Sequence, residues 1–211
     1  MTRLLHVAVS PRGAASFSRR VGEALIAALR RIDPQMSIVE RDLAAAPVPH
    51  PDRDFVIASL MPAAERGEGE RAALALSEIL IGELEACDLV VLSTPMHNFA
   101  APSALKAWLD HVVRPGRTFR NSPAGKIGLL SDRPVLAAIA CGGRFGEGAG
   151  AQADFLEPYL RYVFAVVGLS SFEALRLEEL ERGEGKIERS LAAARRWIDA
   201  TSARFAARRR G

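Results

Sequence analysis

Three stretches of this chain carry residue types that suit ligand chemistry better than packing. The first is Ser10-Pro11-Arg12-Gly13-Ala14-Ala15-Ser16-Phe17-Ser18, with three hydroxyls and a helix pattern starting at Arg19. The first N–H groups of a helix lack intrahelical acceptors and attract an anion. A phosphate group fits this loop, with the Ser16 and Ser18 hydroxyls as donors. N-capping by Ser16 or Ser18 is the structural alternative, and the two roles are compatible. The second stretch is Pro95-Met96-His97-Asn98-Phe99, behind the apolar run Leu89 to Leu92. It offers backbone N–H groups, one amide and two flat rings, the parts needed to hold a flat heterocycle with polar edges. A plain strand–helix connection, with Asn98 in a turn and Phe99 on the core, is the competing reading. The third is Cys141-Gly142-Gly143 after the apolar run Val135 to Ala140. Paired glycines past a strand let the backbone approach a ligand closely, or simply make a tight turn.

The loops exclude two common phosphate binders. The serine loop is neither G-x-x-x-x-G-K-[ST] nor G-x-G-x-x-G, which argues against a nucleoside triphosphate and against a Rossmann dinucleotide turn. A mononucleotide fits better, since no acidic ribose reader follows a glycine turn. Cys87 and Cys141 form no disulfide framework and no metal pattern, and both read as buried thiols.

The elements that must position these loops follow from hydrophobic patterning. Strands are expected at Leu4 to Val9, Met36 to Asp42, Leu89 to Leu92, Val135 to Ala140 and Ser171 to Leu177. Helices are expected from Arg19 past Leu29, over Ala63–Glu85 with a break near Gly67, over Ser103–His111, Phe155–Val167 and Gly185–Arg208. Strands alternating with helices imply an α/β fold with a parallel sheet and helices on both faces. In such sheets ligands sit outside the carboxyl ends of the strands, where all three loops fall. No repeat or linker interrupts residues 1–211, so one domain is expected. Leu43 to Pro62 reads as a long irregular stretch, either a wall over the site, part of a subunit contact, or a mobile excursion. Phe119 lies in loop chemistry near Pro123, Gly125 and Gly128 and either roofs a pocket or anchors its loop. The helix containing Tyr159 and Tyr162 is apolar nearly all round, which demands burial on a second surface such as another copy of the chain.

The chain has 211 residues, 49% of them hydrophobic and 25% charged, enough for a well-buried α/β core and against disorder. A net charge of +3 is too mild to argue for nucleic acid. No apolar run reaches the ~18 residues of a membrane helix, and the N-terminus reads as a first strand rather than a signal peptide. A cytoplasmic protein is the expectation.

The sequence resembles the FMN-dependent NADH-azoreductases, a branch of the flavodoxin-like NAD(P)H:quinone oxidoreductases. The resemblance rests on Ser10-Pro11-Arg12-Gly13 with Ser16 and Ser18, on Pro95 to Phe99, on Leu105-Lys106-x-Trp108-x-Asp110 with Arg117-Thr118-Phe119, on Gly142-Gly143, and on Pro158-Tyr159-Leu160 with Val167-Gly168-Leu169. It implies a flavodoxin-like doubly wound sheet of five parallel strands in the order 2-1-3-4-5. It implies a homodimer with FMN in each site and NADH or NADPH as electron donor. A quinone or azo compound would be the acceptor, in ping-pong order, with no metal. The phosphate would lie on Ser10, Ser16 and Ser18 with the N–H of Phe17, and the ring on Pro95, Met96, His97, Asn98, Phe99, Cys141, Gly142 and Gly143. Phe119 would meet substrate. No catalytic acid or base is implied, although His97 is a candidate proton donor. One departure stands out: relatives often carry Ser-Arg before the glycine pair, where this chain has Ala140-Cys141. A flavin-binding sensor with little turnover is the alternative from another class.

Overall fold

The computed structural model describes residues 1–146, 148 and 150–210. Its first strand, β1 (Arg3–Ala8), lies between β2 (Ser37–Asp42) and β3 (Leu89–Pro95), and β3 pairs in turn with β6 (Val135–Ala140) and β6 with β7 (Phe172–Leu177). All four pairings are parallel. β4 (Phe119–Ser122) and β5 (Gly125–Gly128) form a separate antiparallel ribbon. The sheet order is therefore β2-β1-β3-β6-β7. The expected numbering 2-1-3-4-5 is not matched, because the stretch after Arg117 holds two strands where a loop was expected. These four-residue strands are mostly exposed and carry no apolar alternation, so patterning had nothing to register.

Helices cover both faces, as the apolar runs of β1 and β3 require. On one face α1 (Phe17–Ile32) and α6 (Glu184–Arg210) bring Leu25, Leu29, Trp197 and Ile198 onto Leu4, Val91 and Leu136. On the other, α3 (Glu68–Ala86), α4 (Ser103–Val112) and α5 (Leu156–Val167) pack Leu80, Leu84, Trp108, Leu160 and Phe164 against Leu5, Val7, Leu92 and Ile139. Trp108 is fully buried, as its helical spacing predicts. Tyr162 and Phe155 stay exposed, at 68% and 63%, so α5 keeps an unburied apolar side within one chain.

α1 sits unusually close to the sheet. A Cβ on Gly22 would fall 2.0 Å from Ser93 Oγ and 3.2 Å from His6 Nε2. His6 is buried there, with Nε2 2.9 Å from Ser93 Oγ and Nδ1 2.9 Å from Glu40. These contacts tie β1, β2 and β3 together beneath the helix. His6 is a satisfied core histidine, and the Ser93 hydroxyl is sealed under α1, so this Glu–His–Ser row cannot meet a substrate.

The 43–62 stretch is not wholly irregular. It contains α2 (Arg53–Leu60), capped by Asp52, whose carboxylate accepts the Phe55 N–H at 2.8 Å. Prolines at 47, 49 and 51 obscured this short helix in the sequence. α2 packs on α3 through Phe55, Ala58 and Leu74. His111 fastens the approach to it: its Nε2 lies 3.0 Å from the Pro49 carbonyl and its ring 4.5 Å from that of Phe55. Accepting that contact as N–H···O fixes the tautomer, leaving Nδ1 buried without a partner.

Burial pushes the His111 imidazole below its usual 6.5, against the opposing pull of the Pro49 carbonyl and Asp110. The unfolded chain therefore takes up this proton first as pH falls, and stability declines from about 6.5 downward. Denaturant unfolding at pH 7.5 and 5.5 checks this. His111→Gln is expected to cost about 1–2 kcal/mol at pH 7.5 and to flatten the decline; an unchanged slope contradicts the assignment.

Candidate functional site

The carboxyl ends of β1, β3 and β6 open onto one cleft of about 470 Å³, within the range of small-molecule sites. The serine loop supplies one wall with Ser10, Pro11, Arg12, Ser16 and Phe17. The loop after β3 supplies Pro95, Met96 and His97, and that after β6 supplies Ala140, Cys141 and Gly142. Leu180 and Glu181, past β7, close the far side. Strand adjacency makes this convergence: β1 and β6 both pair with β3, so their terminal loops stand side by side.

At the first wall the chain makes a short 3-10 turn over Gly13–Ala15 and then enters α1. Ser16 is the N-cap, its Oγ accepting the Arg19 N–H at 3.4 Å and lying 3.1 Å from Ser18 Oγ. Ser10 and Ser16 are buried at the cleft wall, and Ser18 stands directly behind Ser16. The N–H groups of Phe17 and Ser18 precede the intrahelical ladder. This donor set, with the positive helix end, suits a phosphate. Arg19 does not serve it: its guanidinium reaches Asp42 at 2.6 Å and Glu40 at 3.7 Å on β2. Arg12 does line the cleft.

The middle wall carries strain. His97 and Ala100 exchange backbone hydrogen bonds at 3.1 and 2.9 Å, closing a tight turn with Asn98 at φ 47° and Phe99 at φ 69°. Two central residues at positive φ match a type I′ turn, which suits Asn and strongly disfavours a bulky aromatic. Such strain clusters at ligand sites. Asn98 and Phe99 form the turn's tip, beyond the residues that line the cleft, and the Phe99 ring lies edge-on to Phe145 at 6.4 Å.

At the third wall, Met96 N–H donates to the Ala140 carbonyl at 2.8 Å, binding the second and third loops together. Gly142 lies so close to Glu181 that an added Cβ would stand 2.9 Å from its carboxyl carbon. Gly143 faces Gln152 instead, outside the cleft lining. Cys141 is buried, and desolvation, helped by Glu178 and Asp154, pushes its thiol up to about 12. It is a neutral group at any working pH.

Phe119 is not brought to this cleft. Its ring is buried, with Lys126 Nζ 4.2 Å from the centroid, and the preceding segment is pinned to α3 by Arg114 on Ser77 Oγ (2.8 Å) and Arg117 on Glu78 and Glu85. Of its two sequence readings, the loop anchor is the one seen within this chain. Leu180 and Glu181 line the cleft without belonging to any of the three stretches that the sequence singles out. The β7 end was the overlooked signal, since its loop must share the sheet's carboxyl edge. Among the described residues, no group of three or more His, Cys, Asp or Glu could hold a metal, and no helix is long and apolar enough to cross a membrane.

Comparison with known proteins agrees with this fold. A family model described as a flavodoxin-like fold matches residues 2–201. The chain is 55% identical over 206 residues to FMN-dependent NADH:quinone oxidoreductase 2 of Cupriavidus pinatubonensis, covering 98% of this chain and 100% of that one. It is 41% identical to FMN-dependent NADH:quinone oxidoreductase 4 of Pseudomonas fluorescens, covering 92% and 93%. Among solved structures, the fold matches an FMN-dependent NADH-azoreductase from Bacillus anthracis in complex with FMN, with a TM-score of 0.84 at 21% identity over 98% of this chain and 100% of that chain.

The two roles of Ser16 separate by substitution. Ser16→Asp keeps the N-cap, so the thermal midpoint is expected to hold, while its charge abolishes protection against heat by a phosphomonoester. Ser16→Ala is expected to cost about 1 kcal/mol and to retain weakened protection. Undiminished protection of the Asp variant would show that the anion lies elsewhere.

Proposed function

The chain belongs to the flavodoxin-like family matched over residues 2–201, and from that premise we propose that it is an FMN-dependent NADH:quinone oxidoreductase that also reduces azo compounds. The observation that carries this reading is the meeting of the buried Ser10 and Ser16 hydroxyls, of Met96 and His97 at the base of the strained turn, and of Gly142 in one cleft. The donor set fits FMN: hydroxyls and helix N–H groups at one end for a phosphate, backbone and apolar surface at the other for a ring. Bound there, FMN would supply the two-electron chemistry between NADH and the acceptor.

The protein's part is binding, orientation and exclusion of water. Ser10, Ser16 and Ser18, with the Phe17 N–H, hold the phosphate. Pro95, Met96 and His97 would hold the ring from one side, on the turn that Asn98 and Phe99 shape, and Cys141 and Gly142 would line its other edge, with Gly143 behind them. Strain at Asn98 and Phe99 fixes the turn before the ligand arrives, so little ordering is left to binding. His97, exposed at the mouth, can deliver a proton to the acceptor, and no other side chain acts as acid or base. Donor and acceptor share one cleft and must occupy it in turn, which makes the kinetics ping-pong.

The exposed Phe155 and Tyr162 side of α5 supports a homodimer, since apolar surface of this kind marks an interface. A solution mass of about twice 22.7 kDa by light scattering is expected, falling to the monomer in Tyr162→Arg.

Purified protein is expected to be yellow, to release FMN on acid precipitation, and to oxidise NADH with menadione. Double-reciprocal plots at several menadione concentrations are expected to be parallel. Protein that stays colourless in excess FMN overturns the reading. Bound FMN that NADH bleaches only slowly indicates a flavin-binding sensor instead.

A further inference from the structure

We propose that Glu181 is a positioning residue that holds the midpoint potential of the bound flavin down. The proposal rests on the reading of the cleft as an FMN site and adds a role for a residue beyond the three loops that define it.

Residues 178–182 form a strap across the loop after β6. Glu179 N–H donates to the Gly143 carbonyl at 2.9 Å and Leu180 N–H to the Cys141 carbonyl at 3.2 Å. Glu179 sits at φ 58°, which turns the chain sharply over the glycine pair. From α6, Ser190 Oγ donates to the Glu178 carbonyl at 2.7 Å and Lys186 pairs with Glu179 at 2.6 Å. The strap is thus anchored on both sides, and Glu181 is delivered against Gly142 at the cleft wall.

Charge accounting within the strap singles this residue out. Glu178 faces Arg176 at 3.4 Å and Glu179 faces Lys186. Among the described residues, Glu181 makes no hydrogen bond and no ion pair. Of the residues that line the third wall beside it, Ala140 is apolar and the Cys141 thiol is neutral. The cleft's cation, Arg12, belongs to the loop after β1. That strand is two places from β6 in the sheet, about 10 Å away at the usual strand spacing. A ligand whose phosphate lies on the serine loop therefore brings its other end, the ring, under the influence of Glu181. Two-electron reduction adds negative charge to that ring, and a nearby carboxylate opposes it, the more so at low ionic strength. The carboxylate should therefore favour the oxidised form and make the reduced form a stronger donor to the acceptor.

The test is a dye-coupled redox titration of FMN-loaded protein at pH 7.5 and low ionic strength, preceded by a fluorescence titration showing that FMN binds. Glu181→Gln is expected to raise the midpoint by about 30 mV, a tenfold shift toward the reduced form for a two-electron couple. Glu181→Asp, which keeps the charge on a shorter arm, should return most of the way to the parent value. Glu184→Gln removes a charge three residues on, outside the cleft lining, and should leave the midpoint unchanged. Coincident midpoints for the parent and Glu181→Gln overturn the proposal, as does an equal shift in Glu184→Gln, which would make the effect one of net charge. Failure of the parent to bind FMN removes the FMN reading itself, and this proposal with it.

Discussion

Gly22 of α1 faces Ser93 of β3 with no room for a methyl group between them. That close approach sets how far the first helix sinks onto the sheet, and so where its N-terminus ends. Beneath it, His6 spans from Glu40 on β2 to Ser93 on β3. A buried polar row is costly unless fully satisfied, and here both ring nitrogens have partners. The row fixes α1 against three strands at once. Ser16, less than two turns before Gly22, is placed by that seating, and with it the hydroxyls and N–H groups at the first wall of the cleft.

The second and third walls depend on sheet order. Because β3 is flanked by β1 and β6, the loops after these three strands must be neighbours whatever their sequences. What those loops present is a matter of local chemistry: a capped helix start, a turn forced to positive φ, and a glycine under a carboxylate. None of the three is demanded by packing. The 97–100 turn would be less strained with glycine in place of Phe99, and Gly142 gives up side-chain packing to admit Glu181. Local preference is set aside at the 97–100 turn and at Gly142, while the capped start of α1 and the strand and helix interiors follow theirs.

This division explains what could be read from the sequence. Four of the five sheet strands run through segments whose apolar period and length are visible directly, with β2 a weaker edge strand, and Trp108 sits where its helical spacing puts it. Ser10, Ser16, Met96, His97, Cys141 and Gly142 were legible because strand ends on a parallel sheet share one edge. Other features were not. β4 and β5 are short and solvent-facing, and α2 hides among prolines, so neither has a periodic signal. Phe119 looked like a loop aromatic because its burial comes from the ribbon and from Lys126, which no spacing reveals. Glu181 was hidden for a further reason: its place depends on the Glu179 and Leu180 hydrogen bonds to Gly143 and Cys141, a tertiary contact between segments about 40 residues apart.

The central claim is that the serine loop and the 95–99 turn hold two ends of one flavin mononucleotide. Amide NMR of the FMN-free protein during titration with FMN tests it most directly. The account predicts that the N–H signals of Phe17 and Ser18, of His97 to Phe99, and of Gly142 shift together and saturate along a single isotherm at one equivalent per chain. Shifts confined to one of these loops, or separate isotherms for the serine loop and the turn, would contradict it.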